Sequence, residues 1–237
     1  MLKDLKSYKD STVAIIPARG GSERIKNKNL KKVGNDTLIR KAIKTCINSE
    51  IFDHIIVSSD SRDIINESKD LAIIPERSKF NSQSISSSES VIKEVISDFP
   101  DLFNKKVLIY FVQCTSPFLN SMNLSESYKL IESNHDNYNC LISGYFFNKF
   151  IWVKERQRNS WIPKNYDPQN RPRSQDNQPI FVENGAFYVF GSSNFKLTNC
   201  RIHGKVGVYT MEELRSLEID ENDDLDYSSF LSEYLEF

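Results

Sequence analysis

The chain is 237 residues long, enough for one large α/β domain with a substantial core. Its 31 basic and 32 acidic residues nearly cancel, so no global field directs it to nucleic acid or to a membrane surface, and any attraction for an anion must be local. The cysteines Cys46, Cys114, Cys140 and Cys200 form no Cys-x-x-Cys pair, and His54, His135 and His203 lack metal-ligand spacing, which argues against a zinc or redox motif and for reduced thiols in a cytoplasmic protein.

Met1 to Lys6 is charged and mixed, without the apolar core of a signal peptide. The longest apolar run, Val107 to Val112, falls far short of a membrane span, so a soluble, intracellular chain is expected.

The first strand, Thr12 to Pro17, runs into a loop with paired glycines, Gly20 and Gly21, and the cations Arg19, Arg24, Lys26 and Lys28. Glycines let consecutive N–H groups turn toward one point, and such a nest among cations suits a polyanion such as a triphosphate. The same residues also read as an ordinary strand-to-helix turn with solvated charges. Neither the P-loop spacing nor Gly-x-Gly-x-x-Gly is present, so a phosphate site here is of another design.

Leu38, Ile39, Ala42, Ile43, Cys46 and Ile47 repeat at helical spacing, with Asp36 placed to cap that helix. Strands are expected at His54 to Ser58 and Leu71 to Ile74. The next helix runs from Ser88 to Phe99, with Ser86 and Glu89 at capping-box spacing. A strand at Lys106 to Gln113, a weaker helix at Asn123 to Ser133 and a strand at Cys140 to Phe146 follow. Short β-rich strands separated by helices call for parallel pairing with right-handed crossovers, hence a three-layer doubly wound α/β sheet. Ligands of such sheets bind beyond the strand carboxyl ends, where Arg19, Asp60 and Gln113 all emerge.

From about Phe147 the pattern breaks. Trp152, Arg156, Arg158, Trp161 and Pro163 precede a polar stretch, Asn165 to Pro179, that reads as an excursion from the sheet. Returning strands are expected at Ile180 to Phe190 and Lys205 to Met211, and a last helix at Asp224 to Leu235. No internal repeat is present.

Three further clusters bear on chemistry. Gln113-Cys114-Thr115-Ser116-Pro117 ends a strand, as a plain strand-to-loop transition would. Asn170-Arg171-Pro172-Arg173-Ser174-Gln175-Asp176 is a basic loop able to grip a carboxylate or phosphate, or simply to face water; in the following Glu183-Asn184-Gly185, Asn-Gly alone spells a hairpin turn. Glu218 and Asp220 lie two apart, so on a strand their carboxylates share a face and suit a hard cation such as magnesium. Asp223 and Asp224 instead complement the dipole of the last helix.

Taken in order, these segments resemble the CMP-sialic acid synthetase family, the N-acylneuraminate cytidylyltransferases. The matching residues are Arg19, Gly21, Ser22, Lys28 and Asn29; Val57 to Asp60; Gln113 with Thr115 to Pro117; Arg173 to Asp176 with Glu183 to Gly185; and Glu218 to Asp220. The resemblance spans about residues 12 to 226 and implies one Rossmann-like nucleotidyltransferase domain over 1–237, with a protruding dimerisation element at about 147–180 that completes the partner's sugar site in a homodimer.

The implied reaction joins CTP to a nine-carbon 2-keto sugar acid, N-acetylneuraminate first, and releases pyrophosphate. Legionaminate, pseudaminate or keto-deoxy-octulosonate are alternative acceptors, and a non-catalytic nucleotide-binding homologue is the reading from another class. The resemblance assigns Arg19, Gly21, Ser22, Lys28, Asn29 and Ser87 to CTP, Gln113 and Arg173 to the sugar acid, and Glu218 and Asp220 to Mg2+, with Arg19, Lys28 and Asp220 catalytic. No conventional general base stands out. Two departures matter: Glu23 stands where the family has Lys, reversing a charge beside the triphosphate unless Arg24 or Lys26 replaces it, and Glu218 stands for the usual first Asp.

Overall fold

The computed structural model describes residues 10–75, 77–78, 81–82, 86–155 and 159–234. The expectations for the N-terminal segment, Arg156, Arg158 and Leu235 lie outside them. Strand β1 (Ser11–Pro17) is wholly buried from Val13 to Ile16. Its side chains alternate: Ala14 and Ile16 enter one apolar cluster and Val13 and Ile15 the other, as a strand covered on both faces requires.

A two-residue ribbon, β2 (Lys32–Val33) with β3 (Asp36–Thr37), leads into α1 (Leu38–Ser49). The cap of α1 is Thr37, which accepts from the Arg40 N–H at 3.4 Å, and not Asp36. Asp36 is held in the ribbon and its carboxylate accepts from Lys44 Nζ at 2.7 Å. Strand β4 (His54–Ser58) and α2 (Arg62–Ser68) follow. Leu71 to Ile74 forms no strand; Ile73 makes a single bridge to Ile56.

Helix α3 (Ser88–Asp98) is capped by Ser87, whose Oγ accepts from the Ser90 N–H at 3.1 Å. The expected Ser86–Glu89 box does not form, because the Glu89 carboxylate is drawn to Arg201. A single turn, α4 (Pro100–Phe103), precedes β5 (Val107–Val112), buried at every position, and α5 (Ser121–Ser133). Then come β6 (Cys140–Phe147), the exposed ribbon β7 (Trp152–Lys154) with β8 (Trp161–Pro163), β9 (Ile180–Gly191), α6 (Ser192–Thr198), β10 (Val206–Thr210) and α7 (Asn222–Leu231). Asp223 and Asp224 lie in the first turn of α7, and the Asp224 carboxylate accepts from the Asp220 and Glu221 N–H groups.

The main sheet has the order β10-β6-β9-β5-β1-β4, and its pairs are parallel except those of β9. The sheet is thus mainly parallel, as expected, with β9 the exception: the chain returns from its excursion into the slot between β5 and β6 and runs antiparallel to both. Asn184-Gly185 is accordingly no hairpin turn. It sits in an irregularity of β9, where pairing to β6 jumps from Ile142–Tyr188 to Gly144–Glu183. Ser143 Oγ braces this bulge by accepting from the Phe187 N–H at 2.9 Å and lying 2.7 Å from Asn184 Oδ1. Gly185 takes φ +67°, the left-handed region that glycine enters at little cost. One apolar cluster joins the sheet to α1, α2 and α5, the other joins it to α3, α4 and α6, completing three layers. Among the described residues no helix is long and apolar enough to cross a membrane.

A Cβ on Gly144 would lie 2.1 Å from the Val182 carbonyl oxygen. Gly144→Ala should therefore lower the unfolding free energy by about 3 kcal/mol, whereas Gly21→Ala, with nothing within 4 Å of the new methyl, should stay within about 0.5 kcal/mol. Urea midpoints of the two variants check this, and a tolerated Gly144→Ala would refute the tight β6–β9 packing.

Candidate active site

The loop after β1 folds back over the carboxyl ends of the strands. Gly20 is pressed against Ser61, whose Cβ would be 2.8 Å from a methyl at position 20, and its N–H donates to Asp60 Oδ1 at 2.9 Å. Asp60 thus supports the loop from beneath and is not part of the cleft lining. The Ser22 N–H turns to Gly20 O at 3.0 Å, so the Gly20 and Ser22 amides are both used within the protein.

Asn27, at φ 55°, redirects the chain. Buried Asn29 donates from Nδ2 to Arg19 O at 3.0 Å, which closes the loop and fixes Arg19. Lys28 is carried inward until its side chain is 13% exposed, and its Nζ donates to Ile219 O at 2.8 Å and to Asp220 Oδ1 at 3.0 Å.

The opposite wall is residues 217–220. This segment is extended but is not a sheet strand; the Ile219 N–H donates to Thr115 O at 2.8 Å and the Ile219 side chain is fully buried. With Ile219 pointing inward, Glu218 and Asp220 turn to the cleft. Thr115 Oγ1 donates to Glu218 Oε1 at 3.2 Å, and Gln113 Nε2 donates to the Gly185 carbonyl at 2.8 Å. Burial raises the Glu218 carboxyl pKa, and the charge of Asp220 adds to the rise.

Together these walls enclose a cavity of about 310 Å³. Arg19, Ser22, Lys28, Asn29, Ser87, Gln113, Glu218 and Asp220 all line it, while Gly21 and Arg173 do not. Gly21 is exposed on the outer side of the loop. Arg173 lies in the excursion, 75% exposed, with Nε 2.7 Å from Asp176 Oδ2. Glu23 also lines the cleft, next to Arg24, which bridges to Asp220 at 3.2 Å and Glu221 at 2.9 Å. Exposed Lys26 is not among the lining residues.

Arg77 was not legible in the sequence. It is a lining residue whose guanidinium donates to Asn81 O at 2.7 and 3.0 Å and to Ser58 O at 3.0 Å, with burial lowering its pKa. A lone arginine outside any motif carries no signal for this role. The thiol of Cys114, within the Gln113–Pro117 motif, is buried and pushed up to about 12, so it stays protonated and offers no nucleophile.

Residues 13–236 match the family model described as Cytidylyltransferase. N-acylneuraminate cytidylyltransferase of Oncorhynchus mykiss is 30% identical over 222 residues, covering 93% of this chain and 50% of that protein. Pseudaminic acid cytidylyltransferase of Campylobacter jejuni subsp. jejuni serotype O:2 is 29% identical over 228 residues, covering 92% of this chain and 95% of that one. The chain thus spans about half the length of the N-acylneuraminate relatives it matches. Among solved structures, a CMP:2-keto-3-deoxy-manno-octonic acid synthetase complexed with CTP superposes with a TM-score of 0.65, covering 95% of this chain and 100% of that one at 12% identity, a likeness of fold. Because the family match runs from the first strand through the last helix and includes every wall of the cleft, this chain belongs to the cytidylyltransferase family.

Proposed function

We propose that the chain transfers CMP from CTP to a sialic-type nine-carbon 2-keto sugar acid, N-acetylneuraminate first, and releases pyrophosphate. The observation that carries this reading is the cleft, in which Arg19, Ser22 and Lys28 share one space with Glu218, Asp220 and Gln113. In-line attack of an anomeric hydroxyl on the α-phosphorus needs mainly positioning and neutralisation of charge on phosphate oxygens. Arg19 and Ser22 hold the triphosphate and the departing pyrophosphate. Lys28, which lines the cleft, spends two of its three N–H groups on Ile219 and Asp220 and keeps the third for the reacting phosphate. Asn29 donates from Nδ2 to Arg19 O, which leaves its Oδ1 as the acceptor for the cytidine; the Ser87 hydroxyl, already accepting from Ser90, donates its own proton to the nucleoside. Gln113, held by the Gly185 carbonyl, contacts the sugar acid.

The donor set also fits magnesium. Glu218 and Asp220 are hard oxygen ligands, and Glu218 is a half-buried carboxylate beside a like charge, an arrangement that a cation relieves. Glu218 and Asp220 would hold the magnesium, which would supply Lewis acidity to the phosphate oxygens and lower the pKa of the attacking hydroxyl.

We further place the enzyme in the cytoplasm as a homodimer in which Arg173 reaches the sugar acid of the partner's cleft. Support comes from the four free cysteines, from exposed Trp152, Trp161 and Ile162 on the ribbon, and from Arg173 not lining its own cleft. One observation favours a second acceptor: the pseudaminic acid relative is matched over 95% of its length. Glu23 in the cleft is the feature that favours a non-catalytic homologue, and against it Arg19, Lys28, Gln113 and Asp220 all line the cleft.

Purified chain with CTP, magnesium and a panel of N-acetylneuraminate, legionaminate, pseudaminate and keto-deoxy-octulosonate should release pyrophosphate with a nine-carbon acid and stop when the metal is chelated. No release with any acid sinks the enzyme reading.

Glu218→Gln tests the metal assignment and its electrostatics. A carboxyl whose pKa is raised on folding is stabilising when protonated, and that contribution is lost as pH rises through the folded value. Ionised Glu218 is therefore destabilising at pH 7, and the difference vanishes as pH falls below the unfolded value of about 4.3. The variant should melt higher than its parent at pH 7, converge with it near pH 4, and lose about 100-fold in kcat. Identical melting at pH 7 overturns the electrostatic account, and undiminished kcat overturns the metal role.

Mixed subunits test the dimer. Arg173→Ala and Lys28→Ala proteins, each inactive alone, should regain about a quarter of parental activity when refolded together, since half of the dimers then hold one intact composite site. No recovery means that Arg173 serves no partner cleft.

A further inference from the structure

Arg201 lies between α6 and β10, outside the machinery assigned above, and its side chain is 18% exposed. A guanidinium keeps its charge when buried, so it must be matched by its surroundings. Its NH1 donates to the Glu89 carboxylate, and its Cζ lies over the Tyr188 ring, 4.3 Å from the centroid, and 5.7 Å from that of Phe111. Its buried Nε–H has no hydrogen-bond partner, a cost that favourable packing must offset.

The three partners share one property. Glu89 is in the first turn of α3, immediately after Ser86–Ser88 in the cleft wall; Phe111 lines the same cleft. The Tyr188 hydroxyl donates to Glu183, at the edge of the bulge whose Gly185 carbonyl holds Gln113. One guanidinium therefore touches the element behind each of three walls. On its other side the start of α3 is tied by Asn81 Nδ2 to Ser90 O at 3.3 Å, which makes Arg201 the pin from the sheet.

We propose that Arg201 is a positioning residue that fixes the Ser86–Ser88 wall against β5 and β9 and so sets the affinity of the cleft for CTP; its kinetic consequence rests on the reading of this cleft as a CTP site. It acts through Glu89 and touches neither substrate.

The test compares Arg201→Met, Glu89→Gln, their double variant and Arg201→Lys. Each of the first two should raise KM for CTP about tenfold while kcat changes less than twofold; the double variant should be no worse than either, and Arg201→Lys, which keeps the ion pair, should retain most of the parental affinity. Amide exchange at Ser88 to Val91 should quicken about tenfold in both single variants, a readout that needs no turnover. If the parent releases no pyrophosphate, the cytidylyl-transfer reading fails, and exchange alone decides the role of Arg201. If Arg201→Met does not fold, Glu89→Gln carries both measurements. Unchanged KM in folded variants, additive effects in the double variant, or unaltered exchange at the start of α3 overturns the proposal.

Discussion

The Lys28 ammonium sits where the loop leaving β1 meets the extended segment entering α7, and it donates to the Ile219 carbonyl at 2.8 Å and to Asp220 at 3.0 Å. The residues it joins are more than 190 positions apart, so one side chain closes the two ends of the fold around the cleft. Its position depends on Asn29, which ties the loop to Arg19, and on Ile219, whose burial and hydrogen bond to Thr115 hold the receiving wall. An ammonium has three donors, and using two on the protein orients the third; that constraint turns a flexible lysine into a directed one.

Charge in the cleft is arranged locally and not globally. The chain is near neutral, yet Arg19, Arg24, Lys28 and Arg77 meet Glu218, Asp220 and Glu23 in one cavity. Arg24 is exposed and shared between Asp220 and Glu221, so in water its ion pairs are weak and exchangeable. Glu218 is the opposite case, half-buried with a neutral donor on one oxygen and a like charge nearby, and its raised pKa records that mismatch.

Strand β9 supplies the other half of the design. It enters antiparallel between two strands that would otherwise lie apart, and its irregularity at Asn184-Gly185 aims a carbonyl at Gln113. The same strand carries Tyr188, over which the Arg201 guanidinium lies, so the Gln113 wall and the Ser86–Ser88 wall share a backing element.

Much of this was legible in the sequence. Buried strands such as Val107 to Val112 announce themselves as apolar runs, because a strand covered on both faces admits little else; α1 shows its stripe at helical spacing; and the cationic loop, the Gln113 motif and the Glu218–Asp220 pair stand at the ends of such elements. What the sequence left open depends on contacts across distance. Whether Asp36 or Thr37 caps α1 was decided by the reach of Lys44, and whether Glu89 joins a capping box by the arrival of Arg201. The direction of β9 follows from how the excursion returns, and the role of Arg77 from the carbonyls it meets. The sequence by itself determined the kinds of element and the chemistry at their ends, because side-chain period and residue type act locally. Only the tertiary structure decided which charges face one another, because hydrogen bonds and ion pairs are set by distances that the fold alone creates.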